Sequence, residues 1–115
     1  MADEELVMYI VINDDTKMGK GKIVAQAGHV IVNMAMALMN GSPDLWNKYI
    51  ASGLHPKIVL KAKLVQMEAM IQKYPCLWIR DAGRTQVPSG TLTALAFPPM
   101  LRSQRPPELA DLKLL

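Results

Sequence analysis

One cysteine, two histidines and few acids between residues 17 and 105 are what this 115-residue chain has least of, and each shortage excludes something. The sole cysteine, Cys76, rules out an intrachain disulfide. Two widely separated histidines, His29 and His55, supply no zinc set with that one thiol. No glycine/lysine loop has Walker A spacing, and no dinucleotide glycine pattern follows the first apolar run. There is no low-complexity tract or internal repeat, and half the residues are hydrophobic, so the chain reads as globular rather than solenoidal or disordered. Met-Ala-Asp-Glu-Glu is the wrong start for a signal or transit peptide, so a cytoplasmic, reduced protein is expected. A membrane span needs about 20 apolar residues. The best stretch, Ile23 to Met39, is interrupted by Gln26, Gly28, His29 and Asn33, so a buried helix is expected there instead, with no membrane.

What is present is a displaced charge. Residues 17 to 105 hold twelve Lys or Arg against three acids (Asp44, Glu68 and Asp81), while the other seven acids lie near the two ends. Such a surplus favours a polyanionic partner, and scattered lysines that only keep the surface soluble give the same count.

The length suits one domain with its own core, spanning 1–115. Leu6 to Ile12 is a continuous apolar run ended by Asn13-Asp14-Asp15, a buried strand and a turn. A helix apolar nearly all round runs from Gly21 to about Met39 and closes at Asn40-Gly41. Ser42-Pro43 opens a short helix to about Ala51. Lys57 to Lys61 reads as a second strand, Lys63 to Tyr74 as a helix stopped by Pro75, Cys76 to Ile79 as a third strand, and Thr91 to Phe97 as a fourth ended by Pro98-Pro99. A short helix is expected from Pro106. Strand, helix, strand, helix, strand is the grammar of right-handed crossovers, so the first three strands should run mainly parallel with helices on both faces. About nine residues after Asp81 leave no room for a crossover helix, which makes the last strand antiparallel.

Two segments carry unusual chemistry. Lys17-Met18-Gly19-Lys20-Gly21-Lys22 puts three cations where the long helix begins, although each should cost about 0.3 to 1 kcal/mol against the helix dipole. An anion held among backbone N–H groups and ammoniums, with glycines allowing close approach, turns that cost into a gain, which implies a phosphate-bearing ligand. Along the helix, Lys22, Gln26, His29 and Asn33 share an arc of roughly 60°. Such a stripe must line a cleft or meet polar partners; His29 is either a satisfied cleft-wall histidine or part of the chemistry. The second segment, Asp81-Ala82-Gly83-Arg84-Thr85-Gln86, leaves a strand where α/β sheets bind ligands, at the edge that receives the helix start. Asp81 with Lys22, Gln26, Arg84, Thr85 and Thr93 would make hydrolytic equipment without a metal: a carboxylate to accept a proton from water and cations to stabilise an oxyanion. The structural alternative is an Asp-capped turn with an arginine salt bridge.

Lys17-Met-Gly-Lys-Gly-Lys-Ile-Val-Ala-Gln26 with His29, then Pro56 to Lys61, Asp81-Ala-Gly-Arg-Thr-Gln-Val87 and Gly90-Thr-Leu-Thr93 resemble, in order, the peptidyl-tRNA hydrolase type 2 family of archaea and eukaryotes. The resemblance implies cleavage of the ester joining a peptide to tRNA, a three-layer α/β/α fold on a four-stranded mixed sheet, usually a homodimer, and neither metal nor cofactor. It places functional residues at Lys22, Asp81, Thr85 and Thr93, puts Gln26 and His29 in the same cleft, and assigns Lys17, Lys20 and Arg84 to the tRNA phosphates. The chain departs from the family pattern at Gly28, at Tyr74-Pro75-Cys76, at Ala96-Phe97-Pro98-Pro99, and in a shorter stretch between Lys61 and Asp81. A non-catalytic RNA-binding or adaptor protein would share the basic cleft, but binding phosphate needs no carboxylate. Hydrolysis of a related ester such as a D-aminoacyl-tRNA would use the same groups.

Overall fold

The computed structural model describes residues 5–82, 88 and 90–115. Its elements run β1 (Leu6–Asn13), α1 (Lys20–Gly41), α2 (Pro43–Ala51), β2 (Lys57–Ala62), α3 (Leu64–Lys73), β3 (Leu77–Arg80), β4 (Leu92–Ala96), β5 (Met100–Leu101), α4 (Pro107–Ala110) and β6 (Lys113–Leu114). The sheet is mixed and open, in the order β3-β4-β1-β2-β6, with β5 also on β1. β1 and β2 pair in parallel, and β4 is antiparallel to both β1 and β3. The first three strands therefore point the same way although only β1 and β2 touch, and the antiparallel sense expected for the strand after Asp81 is found.

The sheet has six strands where four were expected. Pro98 and Pro99 interrupt the strand after Phe97 without turning the chain, and Met100 and Leu101 rejoin β1 opposite Val7 and Leu6. At the other side Lys113 and Leu114 add to β2 opposite Lys61 and Leu60. Two-residue strands show no alternation, so sequence pattern misses them.

β1 is apolar throughout because it is buried on both faces. Val7, Tyr9 and Val11 join one core with Leu60, Met67, Met70, Leu95, Phe97 and Leu109, while Met8, Ile10 and Ile12 join another with Val30, Met34, Leu38, Tyr49, Ala94 and Ala96. The small residues Ala94 and Ala96 let α1 lie close to β4.

The expectation of a buried α1 needs correction. Its buried stripe is Gln26, Val30, Met34 and Leu38, while Val24, Val32 and Met36 are 71%, 56% and 54% exposed. A row spaced by four residues drifts about 40° per step, so it follows one ridge across the sheet and leaves the rest of the cylinder outside. By length and composition α1 also meets the requirement for crossing a membrane.

Candidate active site

Lys22 stands in the first turn of α1, which has no side-chain cap and no acid in that turn. One turn later Gln26 begins the buried stripe. Asp81 directly follows β3, and its position is fixed by backbone: its N–H donates to the Thr91 carbonyl at 2.8 Å and its carbonyl accepts from Gly90 N–H at 2.7 Å. Gly90 has φ +83, a left-handed conformation that favours glycine. These two bonds tie Asp81 to the residues just before β4, and its carboxylate meets α1 at Lys22.

The Lys22 ammonium donates to the Asp81 carboxylate across 59 residues of sequence. The Gln26 amide donates to Thr93 Oγ1 at 2.7 Å and lies 3.5 Å from Asp81 Oδ1, and the Thr93 hydroxyl donates to the Ile79 carbonyl at 3.3 Å. Gln26, Asp81 and Thr93 are all buried. Asn13, at the end of β1, donates to the Leu92 carbonyl at 2.8 Å and accepts from Asp15 N–H at 2.7 Å, tying the turn before α1 to β4.

Thr93 reaches this side of the sheet through an irregularity. Ile79 pairs with Ala94 but Arg80 pairs with Leu92, so Thr93 is passed over in the β3–β4 register. Leu92 and Leu95, three residues apart, then share one core, while Ala94 and Ala96 face the other. Strict alternation would have sent Thr93 with Leu95 to the face away from α1; a bulge re-aims one side chain in this way.

A cleft of about 370 Å³ opens beside the pair, lined by Lys22, Ala25, Gln26, His29, Ile79, Arg80, Asp81 and Ala82. Lys22, Gln26, Asp81 and Thr93 come together as the sequence suggested. His29 is exposed at the cleft wall, and Asn33 is exposed and outside the lining, on the side that the drifting stripe leaves behind. Lys17 and Lys20 are exposed; Lys17 lines an adjacent recess of about 400 Å³ with Met18, Gly19 and Ile23. Thr85 and Arg84 lie outside the described residues. Sequence reasoning did not place Arg80 in the site. It lines the cleft and donates to the Gly90 carbonyl at 3.2 Å; its position as the last residue before Asp81 was the available signal.

The cleft therefore offers a buried carboxylate against an ammonium, a carboxamide anchored on a threonine, and a guanidinium at the edge. Such groups can accept a proton from water and stabilise a developing oxyanion.

The family model described as peptidyl-tRNA hydrolase PTH2 matches residues 6–115. A peptidyl-tRNA hydrolase of Saccharolobus islandicus strain L.S.2.15 is 37% identical over 117 residues, covering 94% of this chain and 98% of that protein. The peptidyl-tRNA hydrolase of Saccharolobus solfataricus is 35% identical with the same coverage. That of Sulfurisphaera tokodaii is 36% identical over 113 residues, covering 90% of this chain and 89% of its own.

Proposed function

The chain belongs to the peptidyl-tRNA hydrolase PTH2 family and hydrolyses peptidyl-tRNA, and we propose that it does so with the cluster Lys22, Gln26, Asp81 and Thr93. One observation supports this assignment above the others: Lys22 and Asp81, on separate elements, are paired in a cleft at the carboxyl end of the parallel strands. Asp81 orients the attacking water and takes its proton. The hydroxide adds to the ester carbonyl, and the Lys22 ammonium stabilises the oxyanion that forms. The carbon–oxygen bond to the ribose then breaks, and the leaving oxygen takes a proton as free tRNA departs for reuse in translation. Thr93 is a positioning residue: fully buried, it fixes Gln26, and Gln26 in turn braces Asp81. Thr85 supplies a second hydroxyl. His29 forms the cleft wall, while Lys17, Lys20 and Arg84 hold phosphates.

The substrate is any peptide or N-blocked amino acid on tRNA, since phosphate contacts position a ligand without reading its sequence. The protein acts in the cytoplasm as a single three-layer α/β/α domain. It works as a homodimer, in which a second copy covers the exposed apolar side of α1. A bilayer is the wrong cover for that helix, whose other side packs on the sheet and carries Lys22 and Gln26 into the cleft.

Release of tRNA from a labelled N-blocked aminoacyl-tRNA tests the reaction, and binding without cleavage would overturn it. Sedimentation gives the oligomeric state; a monomer at micromolar concentration would remove the proposed use of the α1 surface.

A further inference from the structure

The outermost strand pair contains an arrangement that the fold does not need. In the antiparallel ladder of β2 and β6, Lys61 stands directly opposite Lys113. Like charges in that position destabilise a sheet. Among the described residues neither ammonium has a hydrogen-bond or ion-pair partner. Other lysines are satisfied: Lys57 bonds His55, Lys63 meets Asp15, and Lys73 meets Glu108.

The faces and edges of the sheet show where the unpartnered charges lie. Lys61 is in register with Ile12, which belongs to the core on the α1 side, so Lys61 and Lys113 share that side. Both sit near the carboxyl ends of β1 and β2, the edge at which Lys17 and Lys20 enter α1. The recess that holds Lys17 and the recess that holds Lys61 and Lys113 share Asp14 as a wall. Asp14 and Asp111 line the second recess without pairing with either lysine.

We propose that Lys61 and Lys113 extend the substrate site into a backbone track for the acceptor stem of the tRNA, running from Asp81 past Lys20 and Lys17 to β6. The proposal rests on the peptidyl-tRNA reading. From β3 to β6 the track crosses four strand spacings, about 19 Å. That lies beyond the reach of the terminal nucleotide that carries the ester, so the far lysines meet phosphates of the following nucleotides. A line of unpaired ammoniums along one edge fits a phosphodiester chain, whose counterions are released on binding. An acidic protein surface would need a matching outline that this shallow edge does not supply.

The test uses the full chain and two readouts. Binding of deacylated tRNA is titrated against salt, and steady-state hydrolysis is measured on N-acetyl-aminoacyl-tRNA and on the same ester carried by a 3′-terminal dinucleotide. For the double variant Lys61→Gln/Lys113→Gln, tRNA affinity should fall about tenfold and the salt slope should shrink by about 1.4 to 1.8 for two lost phosphate contacts. KM for the full tRNA should rise alike, with kcat unchanged and the dinucleotide substrate unaffected. Lys113→Glu should raise the thermal midpoint by giving Lys61 a partner while weakening tRNA binding, opposite signs that a merely structural role does not produce. Unchanged tRNA affinity and salt slope in both variants, or equal losses on both substrates, would overturn the track. If the wild-type protein failed to hydrolyse either ester, the functional assignment would fall while the binding titration still decided the track.

Discussion

Lys22 with Asp81 and Lys73 with Glu108 are the same two charges in two settings. In the first the side chains are 14% and 4% exposed, and the pair joins α1 to the end of β3. In the second they are 63% and 35% exposed at 2.7 Å, and the pair joins α3 to α4. Tyr74 adds a hydrogen bond to Glu108 at 2.8 Å, so the outer cluster is no poorer in polar contacts. Water makes the difference. It screens an exposed pair until little remains, whereas a sheltered pair keeps its field and can act on a bound ester. A shared ion-pair motif therefore says nothing about function until burial and a neighbouring cleft are known.

The sharpest way to break this contrast is to remove each pair in turn. Asp81→Asn and Lys22→Ala should each lower kcat about a hundredfold or more, as expected for loss of a general base or an oxyanion donor. Lys73→Ala should leave hydrolysis at the wild-type rate. Near-normal turnover in either folded inner variant would erase the distinction. One step weaker is the support beneath the inner pair. Thr93→Val should cost about 1 to 3 kcal/mol of stability, because it leaves the buried Gln26 amide short of a partner. It should also lower kcat more than it changes KM, with Thr93→Ser restoring both; denaturant titration and kinetics on the two variants decide this.

A buried hydroxyl extends the comparison. Among the described residues Tyr9 OH has no partner, so Tyr9→Phe should leave the unfolding midpoint unchanged or raise stability by about 1 kcal/mol. A clear loss would reveal a hidden partner.

The smallest effect belongs to the outer pair and is a matter of pH. Hydrogen bonds from Lys73 and then Tyr74 hold the Glu108 carboxyl down to about 2, from an ordinary value of 4.5. A carboxyl depressed in the folded state stabilises it above the unfolded pKa, and the contribution disappears as pH falls from 4.5 towards 2. Glu108→Gln should therefore flatten the acid limb of the stability curve in that window only, by a small amount because the group is exposed. The difference from wild type should be largest at neutral pH and fade as pH falls from 4.5 towards 2; a difference that stays equal at the acid end would mean that packing, not charge, links α3 to α4.

Much of the fold was legible because local pattern and tertiary role agree. β1 reads as a buried strand since both its faces are covered, and α2 starts at Pro43 where proline suits a first turn. The parts that were not legible depend on partners far away in sequence. β5 and β6 are strands only because β1 and β2 offer them edges. The exposed side of α1 carries the same kinds of residue as its buried side, and composition cannot distinguish them. Within the site, Lys22, Gln26 and Asp81 could be picked out as polar groups in apolar surroundings. Arg80 carried only a weak signal, its place just before Asp81, because an arginine ending a strand is ordinary.

The sequence by itself determined the chemical groups and their local framework: lysines at a helix start, an aspartate at a strand end, and the order of strands and helices. Hydrophobic period and turn residues act over a few positions, so they survive in the letters. The tertiary structure alone decided that Thr93 faces α1. That outcome follows from one residue passed over in the register of two strands, and a shift of one reverses the face of a side chain. Strand pairing is a long-range choice made by the packed sheet, so no local pattern in the chain announces it.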